Sequence, residues 1–590
     1  MNRIYEKSIA PAICILITLA LGYILQSTQE AMFFYREQQQ IFLFDYDYIA
    51  SISAAIGGVS TLISQFLVQF FKLPYMGATI TAALGGATAW FLWLSLKRIN
   101  NALYLLPLSF APVMLQMLYL QSENYHYEGL VAMFAVSAAL ALYSLLSTKL
   151  SYIYRVIIGS LLALLLFFTV GSAATLFAIA VALSDALKRL KGWYLSFAPL
   201  LLMLIIGALC VVGGHKPSYD HIYWMKDYVE YHVNIDMMYG LSWQSLLLTI
   251  VIFHISSLVK LKNRWIGAIV TIAITVGGYS LYIKSADSLR DKDKYTLIRL
   301  FHYIESEQWD EILRCRETNR LNLLHMNCVN LALSKSGKIT TELFRHPQYG
   351  IQSLMSKYQA HIEESYLFSQ IYDHLGMTAL AYNLAFGCSV GFTHGSPAMT
   401  KILVKSHLIY GQYAAADKFI SQLEKSWGYS EWATAQRRFL YNDEAVELDP
   451  ELGRARKGLT DNRDLFANII GLGDNLDIIL QNNPNSRAAM DYKIATLLLS
   501  KDMAGIKDFV ERYGGTEALP SLPPLMQQAV ISYAEHDPLY CQAHGVSEEL
   551  LSQFLQFKRR ILSLRRSGQD LALGLADYRE TFWYYLLLVK

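Results

Sequence analysis

Charged residues are scarce in this sequence. Asp, Glu, Lys and Arg together make up 17% of the 590 residues, below the roughly 25% of an ordinary soluble protein. The 50 basic residues nearly balance the 48 acidic ones, which argues against a nucleic-acid-binding protein. Because 54% of the residues are hydrophobic, the chain is also neither a disordered tail nor a collagen-like fibre.

Several signatures of well-known enzyme and metal sites are absent. The sequence contains no Walker loop, no G-x-G-x-x-G, no H-E-x-x-H and no G-x-S-x-G, so none of the chemistries tied to those motifs is indicated. None of the six cysteines forms a C-x-x-C pair, which argues against a zinc knuckle. Four of them lie in the second half of the chain, where an oxidising compartment could pair them.

The scarcity of charge is confined to one half of the chain. Residues 1–284 hold 29 charged residues, whereas residues 285–590 hold 69. This contrast predicts an all-α protein with two domains: a polytopic transmembrane domain at 1–284 and a soluble helical domain at 285–590.

Long apolar runs mark the membrane-spanning segments of the first domain. A helix needs about 20 apolar residues to cross a bilayer, and nine runs approach that length. We predict spans at 9–27, 76–96, 103–121, 129–147, 156–170, 174–187, 194–213, 242–259 and 265–283. The sequence Gly171-Ser172 provides the turn between the two shortest runs.

Lys and Arg residues predict how these spans are oriented. With nine spans and a cytoplasmic N-terminus, twelve basic residues fall on the cytoplasmic side and four on the other, as the positive-inside rule requires. Residues 285–590 then lie outside the cytoplasm. The predicted location is a bacterial inner membrane with a periplasmic C-terminal domain, and one miscounted span would reverse this.

The segment 48–73 is apolar but carries a stripe of polar residues. The stripe comprises Gly57, Thr61, Gln65, Gln69 and Lys72, which are spaced about one helical turn apart. We interpret the segment as a helix that lies flat in the outer membrane interface. The alternative is a crossing helix whose polar stripe faces its neighbours.

Polar residues that could take part in catalysis or binding lie in three predicted outer loops. The loop at 28–48 holds Glu30, Arg36, Glu37, Asp45 and Asp47, and the loop at 122–128 holds His126 and Glu128. The loop at 214–241 contributes Lys216, Tyr219, Asp220, His221 and Trp224.

These residue types suit transfer onto a hydroxyl with a phosphate leaving group. Carboxylates can act as a general base or hold a divalent cation, and Asp45 and Asp47 would be the ligands for Mg²⁺ or Mn²⁺. Basic side chains can bind the phosphate, and aromatic rings can stack on a sugar. The alternative for the aromatic residues is the interfacial belt of a membrane protein.

The order of these elements resembles the front end of GT-C membrane glycosyltransferases. One span, an acidic outer loop that begins Gln29-Glu30-Ala31, and the stretch SQFLVQFFKLPYMG at 64–77 follow each other here. The resemblance covers roughly residues 1–215, and Glu128 matches a second acidic position by location. The usual Asp-Glu pair of the family is Gln29-Glu30 in this sequence.

That resemblance implies a donor sugar on a polyprenyl phosphate or pyrophosphate. A first-loop carboxylate, Glu30, Glu37, Asp45 or Asp47, or else Glu128, would then act in catalysis. The cationic residues Arg36, Lys216 and His221 would bind the donor phosphate. Residues His126, Tyr219, Asp220 and Trp224 would line the substrate loop.

The second half reads as helices throughout, with hairpins similar to tetratricopeptide repeats. The segments 374–382 and 411–419 carry the small residues that such hairpins need. We predict a degenerate solenoid, which offers a surface for a polypeptide. The sequences NLALSKSGKITTELFRHPQYG and GQYAAADKFISQLEKSWGYSEWA resemble an uncharacterised family of bacterial envelope proteins.

Two functions of different class follow from the sequence. The first is a membrane glycosyltransferase that acts on an extracytoplasmic protein or glycan, with membrane lipid and the lipid-linked sugar as partners and no nucleic acid. The alternative is a scaffold without catalytic activity, in which the membrane domain anchors a repeat domain that binds envelope proteins. An O-antigen-type ligase is less favoured because the loop at 214–241 is short.

Overall fold

The computed structural model describes residues 2–147, 150–230, 237–258, 264–315, 322–358, 361–391, 395–459 and 472–589. Within these ranges the chain is helical, and extended pairing is limited to isolated β-bridges. The predicted all-α class is confirmed. The chain forms two compact units, unit 1 at Met1–Lys292 with Lys425–Gly428, and unit 2 at Asp293–Glu424 with Tyr429–Lys590. The predicted boundary at 284/285 falls inside the last helix of unit 1, Arg264–Leu289.

Twelve α-helices lie in the described part of unit 1. They are α1 Asn2–Gln38, α2 Tyr46–Ser53, α3 Gly58–Val68, α4 Met76–Leu96, α5 Ala111–Tyr119, α6 Glu128–Ser147, α7 Tyr152–Val170, α8 Ala173–Leu187, α9 Ala198–Val212, α10 Asp220–Tyr223, α11 Met237–Ser256 and α12 Arg264–Leu289. Short 3₁₀ helices lie at Gln69–Lys72, Leu103–Phe110, Trp193–Phe197 and Lys226–Tyr228.

Seven segments of the described chain are helical, long and apolar enough to cross a membrane, which supports a membrane protein. They are Ile9–Gln38, Met76–Leu96, Glu128–Ser147, Tyr152–Val170, Trp193–Val212, Tyr239–Ser256 and Trp265–Ser288. The other two predicted spans correspond to shorter apolar helices, Leu103–Tyr119 and Ala173–Leu187. The first of these begins as a 3₁₀ helix with Pro107 inside it, where the missing N–H interrupts α-helical bonding. The count of nine spans stays a prediction.

Small residues let the helices of unit 1 approach closely. A Cβ at Gly86 of α4 would lie 2.2 Å from the hydroxyl of Thr18 on α1. A Cβ at Gly77, also on α4, would lie 2.5 Å from the Cβ of Phe33 on α1. Such contacts replace hydrophobic driving force as the source of helix association inside a membrane. They hold the C-terminal part of α1 firmly against α4.

The segment 48–73 is not one helix. It contains the end of α2, then α3 and a 3₁₀ turn, because Gly57 adopts φ +85° and its N–H donates to the carbonyl of Phe168 at 3.1 Å. The middle of the polar stripe faces the protein: Gln65 is fully buried and accepts a hydrogen bond from the Tyr48 hydroxyl, and Gln69 is buried as well, whereas Lys72 is exposed. Apolar Ile63 and Phe66 are exposed instead. At 11 residues α3 is too short to cross a bilayer.

Unit 2 contains the remaining helices. They are α13 Lys292–Glu305, α14 Trp309–Arg314, α15 Leu323–Lys335, α16 Ile339–Glu342, α17 Ile362–Leu375, α18 Thr378–Gly391, α19 Pro397–Ile409, α20 Tyr413–Glu424, α21 Ser430–Gln436, α22 Asp443–Leu448, α23 Leu452–Lys457, α24 Leu472–Asn482, α25 Arg487–Ser500, α26 Met503–Tyr513, α27 Pro524–Tyr533, α28 Pro538–Ala543, α29 Glu548–Ser567, α30 Leu571–Gly574 and α31 Phe582–Leu588. Short 3₁₀ helices lie at Leu343–Arg345, Gly350–Ser353, Arg437–Phe439 and Ala576–Tyr578.

Local sequence sets the ends of these helices. The carboxylate of Asp502 caps α26 by accepting from the N–H of Gly505 at 2.9 Å, and Gly376 ends α17 with φ +78°. Consecutive helices pack on each other from α17 to α21. The aromatic tail packs on unit 2 itself, since Trp583 is buried and donates to the carbonyl of Gln528 at 2.9 Å. All six cysteines are free thiols.

Candidate functional site

The first predicted outer loop is partly a helix. The structure continues α1 to Gln38, so Glu30, Arg36 and Glu37 lie on its last turns, and the prediction of a loop from residue 28 was wrong. Glu30 is exposed and accepts from the Gln26 side chain at 2.8 Å. Glu37 is buried and accepts from the Gln38 amide at 2.6 Å. The two carboxylates therefore sit in opposite environments two turns apart.

Arg36 ties the end of α1 to the second outer loop. Its guanidinium donates to the carbonyl oxygens of Leu120 and Ser122, each at 2.7 Å, and of Tyr125 at 2.6 Å. The side chain is only 4% exposed. Charged donors to backbone carbonyls form strong hydrogen bonds. Arg36 thus anchors the end of α1 to the main chain of residues 120–125.

The second and third outer loops pair through their main chains. Tyr125 and Val229 form an antiparallel bridge, flanked by bonds from the N–H of His126 to the carbonyl of Tyr228 and from the N–H of Glu230 to the carbonyl of Asn124, both at 2.9 Å. The bridge brings residues about a hundred positions apart side by side at the end of the helices. We call the paired residues 124–126 and 228–230 the strip.

Side chains on this strip form a histidine–carboxylate group. The His126 ring lies 3.2 Å from the carboxylate of Glu230, and both are partly exposed. Burial lowers the pKa of His126, but the bond to Glu230 and the charge of Glu128 outweigh it, so the pKa is raised. Glu128, the first residue of α6, therefore acts on the same imidazole.

A second charged group lies on the third loop beside this strip. Asp227 accepts from Lys216 at 2.7 Å and from the Nδ1 of His221 at 2.9 Å. All three side chains are less than a fifth exposed. Gly171, at the turn between α7 and α8, is a neighbour of Asp227, since a Cβ there would be in ordinary contact with the carboxylate at 3.4 Å. The predicted phosphate-binding residues Lys216 and His221 are thus held by one carboxylate.

Aromatic residues surround the group. Tyr228 is buried, stacks on Trp243 with ring centroids 5.0 Å apart, and bonds the carbonyl of Val170. Tyr219 stacks on Tyr223 at 6.1 Å. Tyr219, Asp220 and Trp224 are exposed. The exposed rings of Tyr219 and Trp224 belong to the same loop as Lys216 and His221 and can contact a bound substrate.

The predicted pair Asp45 and Asp47 lies at the start of α2. Asp45 caps that helix by accepting from the N–H of Tyr48 at 3.2 Å and forms an ion pair with Lys425 of the same unit. The hydrogen bond from Lys425 lowers the pKa of Asp45, and Asp47 is exposed in the first helical turn. Since Asp45 is engaged by a cap and an ammonium, the pair does not fit a divalent cation. No group of three or more His, Cys, Asp or Glu side chains that could hold a metal occurs among the described residues.

The structure therefore brings together only part of the predicted site. Arg36 binds the main chain of the second loop, which also carries His126 and leads into Glu128. This loop pairs with the third loop, and the third loop carries Lys216 and His221. Sequence reasoning missed Asp227 and Glu230, which link these residues. Their signal is the stretch Asp227-Tyr228-Val229-Glu230, where two acidic residues flank a pair of residues common in strands.

Comparison with known proteins adds a family to this description. The model of DUF6057, a family of unknown function, matches residues 5–589. The chain belongs to DUF6057. The match covers both units of this DUF6057 protein except the first four residues and the last one. No curated protein matches it, and no solved structure does either.

Proposed function

We propose that this DUF6057 protein is a membrane glycosyltransferase. It takes a sugar from a polyprenyl phosphate or pyrophosphate and transfers it to a protein or glycan outside the cytoplasm. The observation that carries the proposal is the main-chain pairing of the second and third polar loops, to which Arg36 fastens the end of α1. Carboxylates, an imidazole and cations are thereby concentrated at one end of the apolar helices.

Glycosyl transfer from such a donor has two chemical requirements. The acceptor hydroxyl needs a general base, which contributes typically 10²–10⁴-fold to the rate. The departing phosphate needs cationic or hydrogen-bonding partners. The strip and the third loop carry groups suited to each task.

We assign the base to Glu128 and the phosphate contacts to Lys216 and His221. Glu128 is partly exposed at the start of α6 and lies close enough to His126 to raise its pKa. Asp227 positions Lys216 and His221 by bonding both. Exposed Tyr219 and Trp224 would stack on the sugar. Arg36 is a positioning residue, because its guanidinium is committed to main-chain carbonyls.

The proposed topology has nine crossings and a cytoplasmic N-terminus in a bacterial inner membrane. The two shorter apolar helices, Leu103–Tyr119 and Ala173–Leu187, are the two additional crossings. Unit 2 is then periplasmic and, as a tetratricopeptide-like solenoid, presents a polypeptide acceptor. The packing of consecutive helices from α17 to α21 supports such a repeat.

The experiment compares envelope glycans of the native host lacking this gene and complemented with variants. Glu128→Gln and Lys216→Met should each abolish the glycan that wild type restores, at equal protein levels in the membrane. Asp287→Asn is the matched control and should restore the glycan, because this carboxylate on α12 is 67% exposed and belongs to neither the predicted nor the proposed site. A glycan profile identical in the deletion strain and all complemented strains would refute the enzyme and favour the scaffold.

A further inference from the structure

The helix α29 is attached to unit 2 by one of its faces only. Phe554, Phe557 and Leu564 on that face are buried. The rings of Phe554 and Phe557 contact the ring of Trp583, with centroids 5.1 Å and 5.9 Å away. The opposite face of this 20-residue helix is exposed to solvent.

Leucine and arginine alternate along the exposed face. Leu555, Arg559, Leu562 and Arg566 follow each other every three or four residues, which places them on one side of an α-helix. Leu555 is 50% exposed and Leu562 is 52% exposed, and both arginines are exposed. We call these four residues the leucine–arginine face.

The positive charge of α29 is not balanced by acidic residues of the same segment. Residues 550–569 contain no Asp or Glu and five cations, which are Lys558, Arg559, Arg560, Arg565 and Arg566. Among the described residues, the ion pair of Lys558 with Glu535 is the one that this segment forms within 4 Å. Elsewhere in unit 2 arginines have carboxylate partners, as Arg437 does in Glu424 at 2.6 Å.

A face that is both apolar and cationic matches the surface of an anionic bilayer. Leucine side chains can enter the boundary between headgroups and acyl chains, while guanidinium groups bond the lipid phosphates. A nucleic acid would bind the arginines through its phosphates and leave the leucines in water. Unit 1 carries seven helices long and apolar enough to cross a membrane, so a bilayer is part of the surroundings of this protein.

We propose that the leucine–arginine face of α29 binds the surface of an anionic phospholipid bilayer. The helix lies parallel to that surface, with Leu555 and Leu562 in the interface and Arg559 and Arg566 at the phosphates. Arg560 and Arg565, at the sides of the helix, add to the attraction. This inference stands independently of the reaction proposed for unit 1.

The test offers vesicles to the full-length protein held in nanodiscs of phosphatidylcholine, which has no net charge. The nanodisc provides the membrane for unit 1, and vesicles that contain phosphatidylglycerol provide the anionic surface. Flotation of the vesicles measures the bound fraction of protein. We expect binding to these vesicles to be at least tenfold tighter than to vesicles of phosphatidylcholine alone, and to weaken as the salt concentration rises.

Variants assign the binding to α29. Arg559→Gln combined with Arg566→Gln should weaken it about thirtyfold, since each basic residue near an anionic surface contributes about fivefold. Leu555→Ser combined with Leu562→Ser should weaken it about tenfold, because two apolar side chains no longer leave water. The controls are Arg512→Gln and Leu448→Ser, which change exposed residues of other helices and should bind as wild type.

The outcomes that contradict the proposal are specific. Equal binding to both kinds of vesicle would overturn it, as would wild-type binding by the double arginine variant. Wild-type binding by the double leucine variant would also overturn it, because the face would then act through charge alone. Since all the altered side chains are exposed, the thermal midpoint should match wild type, which shows that the variants are folded.

Discussion

Arg36 offers the strictest test of how the polar end of unit 1 is assembled. Arg36→Met removes three hydrogen bonds from a charged donor and leaves the carbonyls of Leu120, Ser122 and Tyr125 without it. Each bond of this kind contributes about 1.5–3 kcal/mol. The variant should therefore lose about 4 kcal/mol or more of local stability, which corresponds to about a thousandfold in an opening equilibrium.

Hydrogen exchange followed by mass spectrometry measures that opening in the full-length protein. The informative amides are those of His126 and Glu230, which donate across the bridge between the second and third loops. In Arg36→Met both amides should exchange about a thousandfold faster than in wild type. Arg36→Lys should recover only part of the protection, because a single ammonium lacks the planar fork of a guanidinium.

The control is Arg189→Met, which changes an exposed arginine and should leave both amides protected. Wild-type exchange at His126 and Glu230 in Arg36→Met would refute the reasoning. Full recovery by Arg36→Lys would show that only charge matters at this position.

Two further predictions concern the stability of the fold at positions outside the proposed active site. Burial raises the pKa of Asp491 to about 6 despite its bond from Arg487, so the folded state binds this proton more tightly than the unfolded state. The unfolding free energy should therefore fall by about 3 kcal/mol as pH rises from about 4 to above 6. Asp491→Asn should lack that fall in exchange measurements on α25, and an identical pH dependence in both proteins would contradict it. Gly58→Ala places a Cβ 1.8 Å from the carbonyl oxygen of Ile52 and should cost about 1–3 kcal/mol, seen as a lower thermal midpoint. Gly278→Ala, whose Cβ meets nothing within 4 Å, should not lower that midpoint.

Local sequence signals predicted most of the fold. Hydropathy along the chain depends only on neighbouring residues, so the helical class and the long apolar helices of unit 1 followed from it. The turn at Gly171 and Ser172 was also predicted, and α7 ends at Val170 before α8 begins at Ala173. The error at α1 arose because the end of the apolar run was taken as the end of the helix. Glu37 and Gln38 are good helix formers, so the helix continues beyond the apolar residues.

Features that depend on distant contacts were not predicted. The break between α2 and α3 requires the bond from Gly57 to Phe168, more than a hundred residues away. Glu230 acquires its partner His126 only because Tyr125 pairs with Val229. No local pattern around either residue identifies the other. The same holds for Asp45, whose carboxylate is engaged by Lys425.

The bridge between Tyr125 and Val229 also has a consequence for mutagenesis. Its bonds, and those that Arg36 makes to the second loop, end on peptide groups that every residue except proline retains. Side chains at His126, Glu128 and Glu230 can therefore be exchanged one at a time without removing these connections. A loss of function in such a variant reports on the altered side chain, because the loops that carry it still meet.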